Sequence, residues 1–213
     1  MGAIRGIAPT PRSFHRENCL RTRVPGQQHQ RIDRPAERIE LPGALLRRPV
    51  AADAGALHQA VTESLEHLRP WMPWAAGDYT TDSAVTFIDE ATTSWHTGLS
   101  YTYLITTGPS IAGAISLEHR IGDGGLEIGY WLHPAHTGRG LVTTAARALT
   151  EQAFALPGIH RVEIWHDAAN TASRRIPERL GFTCIDTQHP PRFAHTAGKR
   201  GLEVVWRLTR PTA

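Results

Sequence analysis

A chain of 213 residues with 40% hydrophobic side chains and six tryptophans is large enough to bury one ordinary core, which excludes a wholly disordered protein. No apolar run nears the roughly 20 residues that cross a bilayer, and the N-terminus lacks a secretory signal block, so a cytoplasmic protein with no membrane partner is expected. The net charge of +3 comes largely from Arg5, Arg12, Arg16, Arg21, Arg23, Arg31, Arg34 and Arg38 ahead of the core, a solvated arrangement that calls for no specific nucleic acid.

Residues 1–37 show no apolar period and are expected to form a disordered leader; residues 38–210 are expected to form the folded domain. Cys19 and Cys184 have neither metal-ligand spacing nor a disulfide framework, so free thiols and no metal are expected. Patterning begins at Arg38 with a short hairpin about Pro42-Gly43. Asp53 is placed to cap a helix carrying Leu57, Val61, Leu65 and Leu68, which Pro70 ends, and Asp82 to open another carrying Val85, Ile88, Ala91 and Trp95. Between them, Leu68-Arg69-Pro70-Trp71-Met72-Pro73-Trp74 is too rich in Pro for regular structure and too aromatic for a plain solvent loop; Arg69, Trp71 and Trp74 are its candidate substrate contacts.

Three β-rich runs follow, Tyr101–Thr107, Ile111–Leu117 and Gly125–Leu132, split by Gly108-Pro109 and Gly122-Asp123-Gly124 turns. A helix with Leu141, Ala145, Leu149 and Phe154 comes next, then a strand Arg161–His166, a helix Ala172–Leu180 and strands Phe182–Asp186 and Leu202–Arg207. The order β-α-α-β-β-β-α-β-α-β-β predicts an α/β (α+β) domain with a mixed, mostly antiparallel central sheet and helices on both faces.

The chemically informative stretch is Glu127-Ile-Gly-Tyr-Trp-Leu-His-Pro-Ala-His136-Thr137-Gly138-Arg139-Gly140-Leu141, a strand entering a Gly-containing loop that opens a helix. Such a loop brings several backbone N–H groups to a pyrophosphate, and the helix start adds partial positive charge. No Gly-Lys-Ser/Thr follows and no third Gly is present, so the phosphate-loop and dinucleotide motifs are both excluded.

With Glu127-Ile-Gly-Tyr-Trp-Leu, Gly138-Arg-Gly-Leu, Arg161-Val-Glu-Ile, Asn170-Thr-Ala-Ser173 and Arg179-Leu-Gly181-Phe182 in this order, the chain resembles the GNAT superfamily of acetyltransferases, in its branch of RimJ- and RimL-like enzymes that acetylate ribosomal-protein N-termini. The resemblance implies the GNAT fold, acetyl-CoA as the cofactor with coenzyme A as product, and an amine acceptor. That acceptor is a protein or peptide N-terminus, with a small amine such as an antibiotic or polyamine, or a catalytically silent acyl-CoA sensor, as alternatives. It implies a pyrophosphate cradle at His136, Thr137, Gly138, Arg139, Gly140 and Leu141, and a pantetheine-binding strand edge at Tyr130, Trp131 and Leu132. Asn170 and Ser173 would meet the cofactor, Ser173 near its sulfur. Glu127 would be the base and Ser173 a hydrogen-bond donor to the departing sulfur. A homodimer is left open.

Three positions depart from the family pattern. Ala135 stands where a long polar side chain is usual in the cradle, leaving His136 or Arg139 to supply a donor. Pro177 stands where many relatives carry a tyrosine that protonates the thiolate. Gln188–His195 holds no carboxylate where the ribosomal enzymes often have a glutamate. His133, His136 and His166 are further proton carriers that the sequence does not rank.

Overall fold

The computed structural model describes residues 34–193 and 196–211. The expected leader at residues 1–33, Cys19 and His195 lie outside the described residues. Eight strands form one sheet: β1 (Arg38–Leu41), β2 (Ala44–Arg47), β3 (Ser100–Thr107), β4 (Ser110–Glu118), β5 (Gly125–Leu132), β6 (Arg161–Asp167), β7 (Thr183–Gln188) and β8 (Glu203–Thr209), in the spatial order β1-β2-β3-β4-β5-β6-β8-β7. All neighbours are antiparallel except β5 and β6. Four helices complete the domain: α1 (Ala54–Leu68), α2 (Thr81–Thr97), α3 (Leu141–Ala155) and α4 (Thr171–Leu180).

Two apolar clusters flank the sheet. Helices α1 and α2 lay Leu57, Val61, Leu65, Leu68, Ala84 and Ile88 on Leu104, Ala114 and Trp131. On the other face Ala145, Ala146, Leu149 and Ala153 of α3 lie on Ile115, Leu117, Leu126, Ile128, Val162 and Ile164. The alternation along β5 divides Leu126 and Ile128 from Glu127 and Trp131, as period-two strand geometry requires. Trp95, 1% exposed at the end of α2, meets Tyr101 and Tyr103 edge-on at centroid distances of 5.2 and 5.1 Å and takes Arg48 over its ring. No helix among the described residues is long and apolar enough to cross a membrane.

The helix starts differ in detail from expectation. Thr80, two residues before Asp82, caps α2: its hydroxyl accepts from the Ser83 N–H. Asp53 precedes α1 but does not cap it, because Arg47 takes both its oxygens at 2.6 and 2.7 Å and Val50 N–H donates to one of them. Residues 34–37, assigned above to the leader, pack on the domain: the Tyr103 hydroxyl donates to Ala36 O at 2.7 Å and Arg48 pairs with Glu37 at 2.7 Å.

Trp95→Ala removes a ring enclosed by two others, and chemical denaturation will show a loss of about 3–5 kcal/mol. Burial disfavours the Asp53 carboxylate, but Arg47 and the Val50 N–H outweigh it and hold the pKa below its ordinary value. A lowered carboxylate stabilises the fold above its unfolded pKa, near 3.9, and that stability is lost as pH falls through the lower folded value. Asp53→Asn will therefore destabilise the protein at pH 7 and flatten the loss of stability below about pH 4, read from melting temperature against pH.

Candidate active site

Strands β5 and β6 pair in parallel through Gly125↔Arg161, Leu126↔Val162, Glu127↔Glu163 and Ile128↔Ile164, and there the register ends. Gly129 to Leu132 therefore continue with β4 alone, and the edge facing β6 carries no partner strand. Parallel strands finish side by side, so the segments after them, the Gly138–Gly140 loop with α3 and the start of α4, open onto the same gap. A cavity of about 270 Å³ occupies it, walled by Trp71, Trp74, Trp131, Trp165 and Phe193 and by the polar groups described next.

At one end of the gap Gly138 and Gly140 have φ of 76° and 74°, a left-handed conformation that Gly adopts without strain. This turns the chain so that the free N–H groups of the first turn of α3 face outwards. Nothing lies within 4 Å of a Cβ built on either glycine, leaving the cradle open. The Thr137 hydroxyl is spent on Pro134 O at 2.8 Å, Arg139 is exposed and Leu141 packs against the core. His133 accepts from Ala135 N–H at 3.1 Å and meets Glu63 through its other nitrogen, while its ring stands 5.8 Å from that of His136. Burial, then His133 and Arg139, hold the His136 pKa below its ordinary value. The cradle fits a pyrophosphate through backbone donors.

Beside the edge, Asn170 caps α4, its Oδ1 accepting from Ser173 N–H at 3.0 Å. The Ser173 hydroxyl lies 2.6 Å from the Tyr130 hydroxyl. Pro177 has no N–H, so the Ser173 carbonyl lacks its helical donor, and the Tyr130 hydroxyl stands 3.4 Å from that oxygen too. The proline that displaces the family's tyrosine thus coincides with a second tyrosine reaching the same turn from β5. Burial pushes the Tyr130 phenol pKa up, against the bond with Ser173. Trp131 turns to the α1–α2 side, edge-on to Trp74 at 6.5 Å, and Leu132 packs on the α3 side.

Cross-strand partners share a face, so Glu118↔Glu127↔Glu163↔Arg207 form one row under the cavity. Glu127 is 2% exposed: Arg120 Nη2 donates to its Oε1 at 2.6 Å and Arg192 Nη2 to its Oε2 at 2.9 Å. Arg120 also pairs with Glu118, and the backbone N–H of Arg192 donates to Glu203 Oε2 at 2.9 Å. Arg192 lies flat on Trp165, 3.4 Å from the ring centroid. Glu163 is occupied by Trp165 Nε1 and Arg207.

The loop before β8 roofs this row. The Thr196 hydroxyl donates to Pro70 O, and Gly198 lies so close that a Cβ would stand 2.5 Å from Pro70 Cβ. Asp167 anchors the loop by accepting from the N–H groups of Arg200 and Gly201, each at 2.9 Å. His166 accepts from Trp206 Nε1 at 2.9 Å, so its other nitrogen carries the proton and donates to Asp167 O at 2.8 Å. Burial holds the His166 pKa below its ordinary value. Both nitrogens are engaged, which removes His166 as a proton carrier.

The sequence places Trp71 and Trp74 on the cavity wall, where they stand, but Arg69 is not a wall residue: its Nε donates to Ala75 O at 3.3 Å and shapes the connector. Glu118, Arg120, Arg192 and Glu203 escape sequence analysis. Glu118 lies one residue past the expected end of its strand, and Arg192 meets Glu127 across 65 positions. Among the described residues no cluster of three metal-ligating side chains occurs.

A model of the acetyltransferase (GNAT) domain matches residues 44–183. The protein named "Putative ribosomal N-acetyltransferase YdaF" of Bacillus subtilis (strain 168) is 31% identical over 136 residues, 61% of this chain and 72% of that protein. Among solved structures, RimL, a ribosomal L7/L12 α-N-protein acetyltransferase in complex with coenzyme A, superposes with a TM-score of 0.74 at 22% identity, over 81% of this chain and 98% of its own. The microcin C7 self-immunity acetyltransferase MccE, in complex with acetyl-CoA and AMP, superposes at 0.73 and 21% identity, over 79% and 93%. The family model spans most of the described chain, and the parted strands and glycine cradle lie within it: the chain belongs to the GNAT family of acetyl-CoA-dependent acetyltransferases.

Proposed function

We propose that this acetyltransferase carries the acetyl group of acetyl-CoA to the α-amine of a protein or peptide N-terminus. The observation that carries this is the meeting of the parted β5 edge with a buried row of carboxylates: an acyl donor laid along the edge brings its reactive end to a wall that attracts an amine. Glu118, Glu127 and Glu203 pair with Arg120 and Arg192, and with Glu90, Asp167 and Lys199 on the same wall the carboxylates outnumber the cations, which favours an ammonium group over a neutral or anionic acceptor. The similarity to YdaF, named a "Putative ribosomal N-acetyltransferase", and to RimL, a ribosomal L7/L12 α-N-protein acetyltransferase, supports a protein acceptor.

In this scheme the free edge of Gly129–Leu132 binds the pantetheine amides as an added strand, and the N–H groups at Gly138–Leu141 hold the pyrophosphate. When bound, acetyl-CoA supplies an activated acyl group on a thiol leaving group. Asn170 and Ser173 orient the thioester end, and of the paired Ser173 and Tyr130 hydroxyls one donates within the pair and the other to the departing sulfur. Glu127, clamped by two guanidiniums, fixes the charge at the floor of the cavity and gives the acceptor nitrogen its seat. The connector at Trp71–Trp74 and the loop about Phe193 flank the first acceptor residue.

Gly138→Asp forces a left-handed φ on a residue with a Cβ, at about 1–2 kcal/mol, and puts a carboxylate where the pyrophosphate rests. Titration calorimetry will show coenzyme A affinity reduced about tenfold or more, each tenfold corresponding to about 1.4 kcal/mol, while the ligand-free melting temperature moves by only a few degrees. For the acceptor, peptides with Ser, Ala or Met N-termini, their Nα-blocked forms and small amines are to be compared by thiol release from acetyl-CoA. The expected result is release with free peptide N-termini and none with blocked ones. Release with polyamines or aminoglycosides alone would replace the protein acceptor by a small one.

A further inference from the structure

Three buried glutamates face the cavity, and their surroundings are not equivalent. Both oxygens of Glu127 accept from guanidinium groups, and Oε2 of Glu203 is taken by the backbone N–H of Arg192, with its guanidinium 3.6 Å away. Glu127 thus has a guanidinium on each oxygen, while both contacts of Glu203 fall on its Oε2. Glu118 differs. Its Oε2 meets Arg120, but its Oε1 accepts only from a neutral hydroxyl, Ser116 Oγ, at 2.7 Å. Glu118 is 6% and Ser116 7% exposed.

That hydroxyl–carboxylate pair sits against Gly129, the first residue of β5 beyond its pairing with β6. A Cβ built on Gly129 would lie 3.3 Å from Glu118 Oε1 and 3.4 Å from Ser116 Oγ. The missing side chain is what lets the pair approach the place where the free edge begins. Any larger residue would stand between the carboxylate and the gap.

Resting on the function proposed above, we infer that Glu118, through Ser116, is the group that takes the proton from the acceptor amine. As the amine nitrogen bonds to the acyl carbon and the carbon–sulfur bond breaks, one N–H proton passes to Ser116 Oγ while the Ser116 hydroxyl proton passes to Glu118 Oε1. The electron pair of the broken bond leaves on the thiolate, to be met by Ser173 and Tyr130. Burial raises the Glu118 pKa, against Arg120 and Ser116, with Glu127 adding to the rise and Arg192 opposing it. Besides these, Glu90, His166, Asp167, Lys199 and Glu203 line the same cavity. A raised value suits a base that must pick up a proton near neutral pH and release it again.

The test has two independent parts. With side-chain carboxyl carbons of glutamate labelled by ¹³C, NMR titration of the ligand-free protein will show a highest-titrating glutamate signal that vanishes in Glu118→Gln and persists in Glu127→Gln; a highest signal that survives in Glu118→Gln overturns the inference whatever the acceptor is. On the peptide that gives most thiol release, Glu118→Gln will lower kcat by about 10²- to 10⁴-fold and abolish the acidic limb of the pH profile, with partial recovery at high pH. Ser116→Ala will lower kcat in the same sense. Glu127→Gln will instead act mainly on KM and keep the acidic limb. An acidic limb retained in Glu118→Gln and lost in Glu127→Gln would assign the base to Glu127. Should no peptide release thiol, the protein-acceptor proposal fails on its own, and the titration still decides on Glu118.

Discussion

The site depends on the point at which β5 and β6 stop pairing. Up to Ile128 and Ile164 the two strands are neighbours; beyond them the chain gives up sheet hydrogen bonds and leaves an edge. Unpaired strand edges are a liability in a folded protein, and they are normally covered, shortened or charged. Here the edge is short, walled by Trp165 and by the turn that starts α4, so it is available to a slender chain entering end-on and hidden from a broad partner. Because β5 and β6 run parallel, their following loops emerge together. One topological decision therefore supplies both the strand edge and the cradle of N–H groups at the mouth of the gap.

The charges beneath that gap stand in a row because the register puts them there. Glu118, Glu127 and Glu163 are cross-strand neighbours, a placement that repels unless cations intervene. Arg120 and Arg192 intervene from a strand end and a distant loop, and Arg192 gains a second support on the Trp165 ring. Buried ion pairs of this kind add little net stability, since desolvation offsets most of the attraction, and removing one member leaves an uncompensated charge. Their retention in a cavity wall is understandable as the fixing of a field. The roof loop is held by the same economy of contacts: Asp167 ties down Arg200 and Gly201, and Pro70 receives Thr196 and Gly198.

What was legible in the sequence was local. The hairpin at Pro42-Gly43, the amphipathic period of α1, the strands and turns of the meander and the glycines of the cradle are each specified by neighbouring residues, and the structure has all of them where the pattern put them. Caps were less legible, because a side chain suited to a cap can find a better partner: Asp53 goes to Arg47, and Thr80 takes the place expected of Asp82. Contacts between distant segments were not legible. The Arg192–Glu127 pair spans 65 positions and the Tyr130–Ser173 pair 43, and nothing in either neighbourhood announces the other. The same applies to Arg69, which resembles a ligand contact in the sequence and serves the connector through a single carbonyl.

The surplus of carboxylates over cations on the cavity wall bears on what happens after the bond is made. An ammonium group brings a positive charge to this wall, whereas an amide brings none. In the reaction proposed above, acetylation erases the charge by which the acceptor is held, and the electrostatic part of its affinity disappears in the same step. Under that proposal the wall tells starting material from product by charge alone.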